Sequence, residues 1–168
     1  MNKTIVTFLI GISLISCNSK TDKTKDMADK KIQTEKQVSK TDDTPKVTGV
    51  GGIFFYSDNP KETQKWYAQN LGIETNDWGS SSFESRDLNN PEQINSLQWT
   101  PFKTGDDYFS PSKKDFMINY RVQNIEGLVK QLKENGVILL DSITSYDYGK
   151  FIHIMDDQGN KIELWEPV

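Results

Sequence analysis

Two residues with acid–base side chains lie on either side of a turn near the C-terminal end of the chain. His153, the only histidine, and Glu163 are equally far from Gln158. Gln158 lies in the polar segment 156–160, which separates two strand-like runs. A simple hairpin centred on this segment would place the two side chains opposite each other. An imidazole beside a carboxylate could act as a general acid and base, so both are candidate catalytic residues.

Alternation along the predicted strands adds further residues to the same face of the sheet. In the strand predicted over 116–122, the aliphatic side chains share one face, while Asn119 and Arg121 lie on the other. We expect the aliphatic face to pack under helices and the other face to line a binding cavity. The predicted ligand-binding residues are Phe54, Tyr56, Trp99, Asn119, Arg121 and Trp165, which lie around His153 and Glu163.

The same residues also allow a purely structural interpretation. In it, Glu163 and Arg121 form an ion pair within the sheet, and His153 is an ordinary strand residue with no role in chemistry. Tyr146 and Tyr148, beside Gly149, form either the rim of the cavity or a surface loop.

The elements that must position these side chains occur twice along the chain. Each copy begins with a strand, continues with an Asn-capped helix that stops at a glycine, and ends with three shorter strands. Corresponding residues, such as Asn59 and Asn124 or Gly72 and Gly136, are separated by 64 to 66 residues. Such a repeat predicts two packed copies of one βαβββ unit. The predicted strands are 50–56, 74–78, 81–86 and 94–100, then 116–122, 137–142, 150–155 and 161–166.

The residues of this repeat resemble a known superfamily. The resemblance rests on the two βαβββ units, the phrase Asp156-Asp157-Gln-Gly-Asn-Lys-Ile-Glu163-Leu-Trp-Glu-Pro, and the helix end Asn70-Leu-Gly72. These features resemble the glyoxalase/bleomycin resistance/dioxygenase superfamily, also called the vicinal oxygen chelate superfamily, over about 47–168. The resemblance implies an α+β domain with modules 47–105 and 115–168. Together they would form an open, cup-like, eight-stranded mixed sheet with helices outside and a ligand cavity inside.

The resemblance also bears on metal binding. Metal-dependent members hold a divalent ion with residues on the first and last strand of each module, usually His, Gln or Glu. The repeat of this chain places Gly52, Leu97, Met117 and Glu163 at those positions, and only Glu163 has a suitable side chain. Zinc, nickel or iron needs about three protein ligands. A shift in strand register would bring in Gln98, Asn119 or His153, but amides are poor ligands for such ions. We therefore expect no cofactor, and a divalent metal is possible but disfavoured.

The N-terminal residues predict export and membrane attachment. Lys3 precedes a short apolar run, 4–16, which is shorter than the roughly 20 residues of a membrane span and fits a signal peptide. The run ends Leu14-Ile15-Ser16-Cys17, which resembles the lipobox of bacterial lipoproteins. This implies a signal peptide over 1–16, lipid such as palmitate on Cys17, and a membrane anchor. In bacterial lipoproteins, Asp directly after the lipidated cysteine is the familiar signal for retention in the inner membrane. This chain has Asn18 at that position, which favours the outer membrane. Residues 17–46 are polar and predict a disordered linker.

The charge of the chain bears on its partners, and the site residues and the resemblance leave three alternative functions. Residues 47–168 carry 11 Lys and Arg against 18 Asp and Glu, a formal charge of −7, which argues against nucleic acid as a partner. The function we expect is binding of a small organic molecule in the cup, without the usual metal. One alternative is an enzyme of the lyase or oxygenase class, metal-dependent or working through His153 and Glu163. Another is a structural or partner-binding lipoprotein. Many relatives pair, so a homodimer is a further expectation.

Overall fold

The computed structural model describes residues 42–168, so the predicted signal peptide, Cys17 and most of the predicted linker lie outside the described residues. The described part contains eight strands and two α-helices, with no helix long and apolar enough to cross a membrane. In chain order these are β1 Lys46–Ser57, α1 Pro60–Leu71, β2 Ser81–Arg86, β3 Ile94–Lys103, β4 Phe116–Gln123, α2 Ile125–Glu134, β5 Ile138–Leu139, β6 Thr144–Tyr146, β7 Gly149–Met155 and β8 Lys161–Glu166. A 3-10 turn, Asp107–Phe109, lies between β3 and β4.

The strands form one mixed, open sheet in the order β2-β3-β1-β4-β8-β7-β5, with β6 beside β5 on the same edge of β7. Strand β1 is parallel to β3 and antiparallel to β4, and β4 is parallel to β8. The β1–β4 pairing therefore joins the two modules at the centre of the sheet. This arrangement confirms the predicted fold class: an open eight-stranded mixed sheet built from two modules with helices.

The strands are divided between the modules differently from the predicted βαβββ plan. Residues 74–78 are not a strand, so the first module has three strands and the second has five. The side chain of Asn76 accepts hydrogen bonds from the backbone of Trp78 and Ser80, and its own N–H donates to the carbonyl of Ser80. These short-range bonds use the backbone groups that a strand would offer to a neighbour. The predicted strand 137–142 is also shorter, because only Ile138–Leu139 pairs with β7.

Both helices begin and end where the capping residues predict. The side chain of Asn59 accepts from the backbone N–H of Glu62, and that of Asn124 accepts from Gly127 at 3.0 Å. After α1, Gly72 adopts the left-handed conformation with φ 67°, which a glycine adopts without steric cost.

The cores under the two helices have different chemistry. Beneath α2, aliphatic side chains of β4, β7 and β8 pack with those of the helix, including Val122, Ile125, Ile152 and Leu164. Beneath α1, the contacts are aromatic, with the ring of Trp99 4.7 Å from that of Tyr67. The prediction that the aliphatic face of these strands packs under a helix is confirmed. The opposite face of the sheet is not covered by either helix, so it is available to line a binding site.

Candidate ligand-binding cavity

The face of the sheet away from the helices lines a cavity of about 1000 Å³. One wall includes Trp78 in the loop 73–80, and the opposite wall includes Tyr146 and Tyr148 beside the far edge of the sheet. The lining contains eight aromatic residues: Phe54, Trp78, Phe102, Tyr108, Tyr146, Tyr148, Phe151 and Trp165. Polar side chains, including Asn119, Asp141, His153 and Glu163, form its floor.

Five of the eight residues predicted to face the cavity do line it. They are Phe54, Asn119, His153, Glu163 and Trp165. The hairpin register pairs His153 with Glu163, as the equal spacing from Gln158 predicts. The structure thus brings both candidate catalytic residues together on the cavity floor.

The prediction that Trp99 faces the cavity is wrong. Its side chain is 7% exposed and packs against Phe55 and Tyr67 under α1. The cavity face of β3 carries Ser96, Gln98 and Thr100 instead. The repeat aligns residues 97–101 with 163–167, which places Trp99 with Trp165. In the structure Gln98, not Leu97, occupies the position on β3 that corresponds to Glu163 on β8, and a shift of one residue moves every side chain to the other face.

Tyr56 and Arg121 also lie outside the cavity lining. Tyr56 stacks on Phe109 at 4.3 Å between ring centroids and donates to the carbonyl of Asp106 at 2.5 Å, so it supports the 3-10 turn. Arg121 is buried, and its Nη1 donates to the carbonyl of Ser96 at 3.3 Å. Burial lowers the pKa of Arg121, and the charge of Asp87 opposes this shift. The alternative ion pair between Arg121 and Glu163 is not formed.

The carboxylate of Glu163 is the centre of the hydrogen-bond network on the floor. Only 4% of Glu163 is exposed. Its Oε2 accepts from Tyr108 Oη at 2.5 Å, and its Oε1 accepts from Asn119 Nδ2 at 2.7 Å. The Nε2 atom of His153 lies 3.1 Å from Oε2. A buried carboxylate needs such partners to offset its loss of hydration.

His153 lies between two carboxylates. Its Nδ1 is 2.6 Å from Oδ2 of Asp141, while its Nε2 faces Glu163. Ionised carboxylates only accept hydrogen bonds, so the protonated imidazole can donate to both. Burial lowers the pKa of His153, but the hydrogen bonds to Glu163 and Asp141 outweigh it and raise the pKa above the ordinary 6.5.

The same network keeps Glu163 ionised and Tyr108 protonated. Burial raises the pKa of Glu163, but the hydrogen bonds from His153, Tyr108 and Asn119 bring it below its usual value. Burial, together with the charge of Glu163, raises the pKa of Tyr108 far above its usual value. At neutral pH the floor therefore contains a carboxylate and a phenol rather than a shared mobile proton.

Sequence reasoning missed Tyr108 and Asp141. Tyr108 lies in the connection between the modules. The one indication in the sequence is Asp106, a residue type that caps short helices, two positions before the aromatic pair Tyr108 and Phe109. Asp141 lies between β5 and β6, in a segment predicted as strand. Its Oδ1 accepts from the backbone N–H of His153 at 2.8 Å, a contact that no sequence pattern indicates.

The described residues do not form the metal site that the family resemblance would imply for a metal-dependent protein. Within 42–168, no group of three or more His, Cys, Asp or Glu side chains is placed to hold a metal ion. Met117 is fully buried with Phe54 and Phe109, and Leu97 lies on the face of β3 away from the cavity. Gln98, which does face the cavity, donates from its amide to Ser82 Oγ at 3.1 Å.

Comparison with known proteins relates this architecture to solved structures. No protein-family profile and no curated protein sequence matches the chain. A variant of Streptomyces coelicolor methylmalonyl-CoA epimerase, in complex with 2-nitronate-propionyl-CoA, superposes with a TM-score of 0.54 at 12% identity, covering 73% of this chain and 99% of that one. A methylmalonyl-CoA epimerase in complex with methylmalonyl-CoA and NH4+ gives 0.52 at 14% identity, covering 73% and 96%.

A glyoxalase/bleomycin resistance protein/dioxygenase superfamily member from Vibrio splendidus 12B01 gives a TM-score of 0.46 at 15% identity, covering 73% of this chain and 99% of that one. At such identities, similarity to solved structures concerns the fold and not the chemistry. The fold of the described domain is therefore that of the methylmalonyl-CoA epimerase structures, and its sheet is open.

Proposed function

We propose that this chain is an exported, membrane-anchored protein whose folded domain binds a small organic molecule in the cavity, without the metal of its metal-dependent relatives. The observation that carries the proposal is the cavity of about 1000 Å³. Its aromatic walls and small set of polar floor groups are typical of sites for small molecules, whose volumes are roughly 300–1,000 Å³. A network that fixes Glu163, His153 and Asn119 in place provides a preorganised polar floor.

The anchoring part of the proposal rests on the lipobox-like end of the apolar run at Cys17. The chain should incorporate labelled palmitate when it is produced in a bacterium with lipoprotein export. The Cys17→Ser variant should incorporate none and should be recovered in the soluble fraction. Equal labelling of both variants would refute lipid attachment at Cys17.

Acid–base catalysis is the second candidate, because His153 and Glu163 meet inside the cavity. The geometry favours binding over catalysis. Both ring nitrogens of His153 already face carboxylates, so a substrate must displace Glu163 or Asp141 to reach either one. The lowered pKa of Glu163 also makes it a weak general base.

A structural role, the third candidate, fits the cavity less well. A protein that used this fold only as a scaffold would gain stability by covering the aromatic side chains around the cleft, such as Trp78 and Tyr148, because exposed apolar surface costs free energy. Here Ser80, Ser96 and Thr100 present short polar side chains to the open space. This lining leaves room for a guest.

Ligand-observed NMR with the purified full chain tests the binding proposal. The probes are water-soluble bicyclic aromatic compounds, quinoline and indole among them. Saturation transfer from the protein to at least one probe is expected. It should disappear in Ser96→Trp, which places an indole inside the cavity. Ser85→Trp, the matched change on the exposed part of β2, should leave it intact. Transfer that is identical in both variants would contradict a cavity site.

A further inference from the structure

The charges that line the cavity are unbalanced. Asp141 and Glu163 both contribute carboxylates, and among the described residues no Lys or Arg lines the space. The nearby buried cations do not line the space: Lys161 Nζ donates to the carbonyl of Tyr108 at 2.5 Å, and Arg121 donates to that of Ser96. The charge of Lys161 nevertheless acts on Asp141 and Glu163 from behind the lining. His153 is the one lining residue that can carry a positive charge, so the side chains a ligand would contact carry a net negative charge in either protonation state.

The walls present aromatic ring systems at the mouth of this acidic floor. Tyr146 and Tyr148 are stacked at 5.3 Å with an angle of 5°, and both meet Phe151 edge to face. Phe151 in turn stacks on Trp165 at 6.1 Å. Trp78, on the opposite wall, is 89% exposed. Aromatic faces near a carboxylate attract cations as well as flat rings.

One acceptor on the floor lacks a donor. Asn119 is 3% exposed, and its Oδ1 has no hydrogen-bond partner among the described residues. Gly51 lets this oxygen lie close to β1, since a Cβ at position 51 would be only 2.2 Å from it. The partial negative charge of the unpaired oxygen adds to that of the two carboxylates.

We infer that the cavity selects an organic cation with a ring-shaped body, such as a cationic nitrogen heterocycle or an aryl-substituted ammonium compound. This inference rests on the proposed function, because it names the class of ligand for the same cavity. Cation–π contacts with the walls and attraction to Asp141 and Glu163 both favour positive charge. An acyl-CoA, the kind of ligand bound in the epimerase structures, carries several negative charges. It would meet carboxylates here with no Lys or Arg among the lining residues to bind its phosphates.

Isothermal titration calorimetry of the full chain at pH 8 with three probes of similar shape tests the inference. N-methylquinolinium is a cation, quinoline is neutral and 2-naphthoate is an anion. We expect N-methylquinolinium to bind at least about tenfold more tightly than quinoline, and 2-naphthoate to bind more weakly than either. Quinoline that binds as tightly as the cation, or 2-naphthoate that binds best, would overturn the inference while leaving the cavity as a binding site. No binding by any probe would overturn the proposed function as well.

Charge-neutralising variants locate the attraction. Glu163→Gln and Asp141→Asn, each with its fold checked by circular dichroism, should each weaken N-methylquinolinium binding several-fold and change quinoline binding much less. Asp141→Asn remains informative if loss of the Glu163 charge prevents folding. Glu134→Gln removes the same charge from the exposed end of α2 and should leave both affinities unchanged. An equal loss in Glu134→Gln would show that the preference is a property of the whole acidic surface, which would also overturn the inference.

Discussion

Glu163 receives donors from three separate parts of the chain: Tyr108 from the 3-10 turn, Asn119 from β4 and His153 from β7. A carboxylate taken out of water is stable only when such groups replace its hydration. The network therefore stabilises the connection between the modules as well as the cavity floor. At the scale of single residues, each donor can be tested separately.

Tyr108→Phe removes one hydrogen bond to the buried charge and little else. A hydrogen bond to a charged group contributes roughly 1.5–3 kcal/mol, so the free energy of unfolding should fall by about that amount. Tyr146→Phe makes the same chemical change at an exposed tyrosine on the cavity mouth and should alter stability by less than about 0.5 kcal/mol. Urea denaturation of both variants provides the comparison. Equal losses would contradict the role assigned to Tyr108.

His153 is the only histidine, so its imidazole signals in an NMR pH titration are unambiguous. Asp141 and Glu163 face its two nitrogens, the ring of Tyr108 lies edge-on at 5.8 Å, and the charge of Lys161 opposes its protonation. The titration should give a pKa above 6.5, and Asp141→Asn should lower it. A value at or below 6.5 in the unmodified chain would contradict the network.

The same shift has a consequence for stability. Because the folded-state pKa of His153 is raised above its unfolded value, the stabilisation is fully present below about pH 6.5 and is lost as the pH rises through the raised pKa. Replacing His153 with Gln should remove this pH-dependent part from unfolding curves recorded between about pH 5 and 9.

The His153–Glu163 pairing was predictable because a hairpin register is local. The contact of Tyr108 with Glu163 was not, because it joins the connection that precedes the second module to the last strand of that module, 55 positions apart. The contact of Asp141 was not, because it depends on where the short strand β5 ends, which no turn motif fixes.

At the scale of secondary structure, long elements with clear caps follow the sequence, and short edge segments do not. Helix α1 begins at Pro60 after Asn59 and ends before Gly72, as those residue types predict. The segment 74–78 contains strand-favouring Thr75 and Trp78, but the hydrogen bonds of Asn76 form a turn instead. Edge strands such as β5 and β6 depend on few pairings, so tertiary contacts decide where they form.

The face assignment of β3 was predictable, although aligning the repeat gave the wrong answer for Trp99. Leu97, Trp99 and Pro101 alternate with Ser96, Gln98 and Thr100. The rule applied to the second module, in which the more apolar face packs under a helix, would have placed Trp99 against α1. The alignment is wrong by one residue because Trp99 on β3 and Trp165 on β8, although flanked by similar residues, do not occupy equivalent strand positions.

The loop 73–80 can be tested through its exposed tryptophan. Trp78 lines the cavity and buries little surface, so Trp78→Ala should leave stability nearly unchanged. It should weaken N-methylquinolinium binding by about 2- to 10-fold, the range expected for one aromatic contact. Trp66→Ala, at an exposed tryptophan of α1 outside the cavity, should leave that affinity unchanged. Unchanged affinity in Trp78→Ala would show that the loop is not part of the site.

At the scale of the whole molecule, the repeat predicted two packed modules, and the family resemblance implied that they form one open mixed sheet. The observed fold is shared with methylmalonyl-CoA epimerases at 12–14% identity. The cavity chemistry could be predicted only in part, because it depends on which side chains face inward and on the connections between strands. Fold and function are separable in this way because a site consists of a few side chains on a common framework.

The metal content of the purified protein tests the expectation that the chain binds no divalent ion. The full chain, prepared without chelator and incubated with zinc, nickel, manganese and iron, should retain no stoichiometric metal after gel filtration. The reason is that Glu163 is engaged by three partners and that Gly52, Leu97 and Met117 have no suitable ligand atoms facing the cavity. Elemental analysis gives the answer. One bound ion per chain would require a ligand set other than these residues.

The central claim, that the cavity binds a small organic molecule, is tested most directly by the NMR signals of the His153 ring during a titration with quinoline. His153 lies on the cavity floor and has no counterpart elsewhere in the sequence, so its signals report on that site alone. We predict a saturable shift of both ring resonances in the unmodified chain and in Ser85→Trp, and none in Ser96→Trp. Ring resonances that stay unchanged while quinoline binds would place the binding site elsewhere and contradict the account.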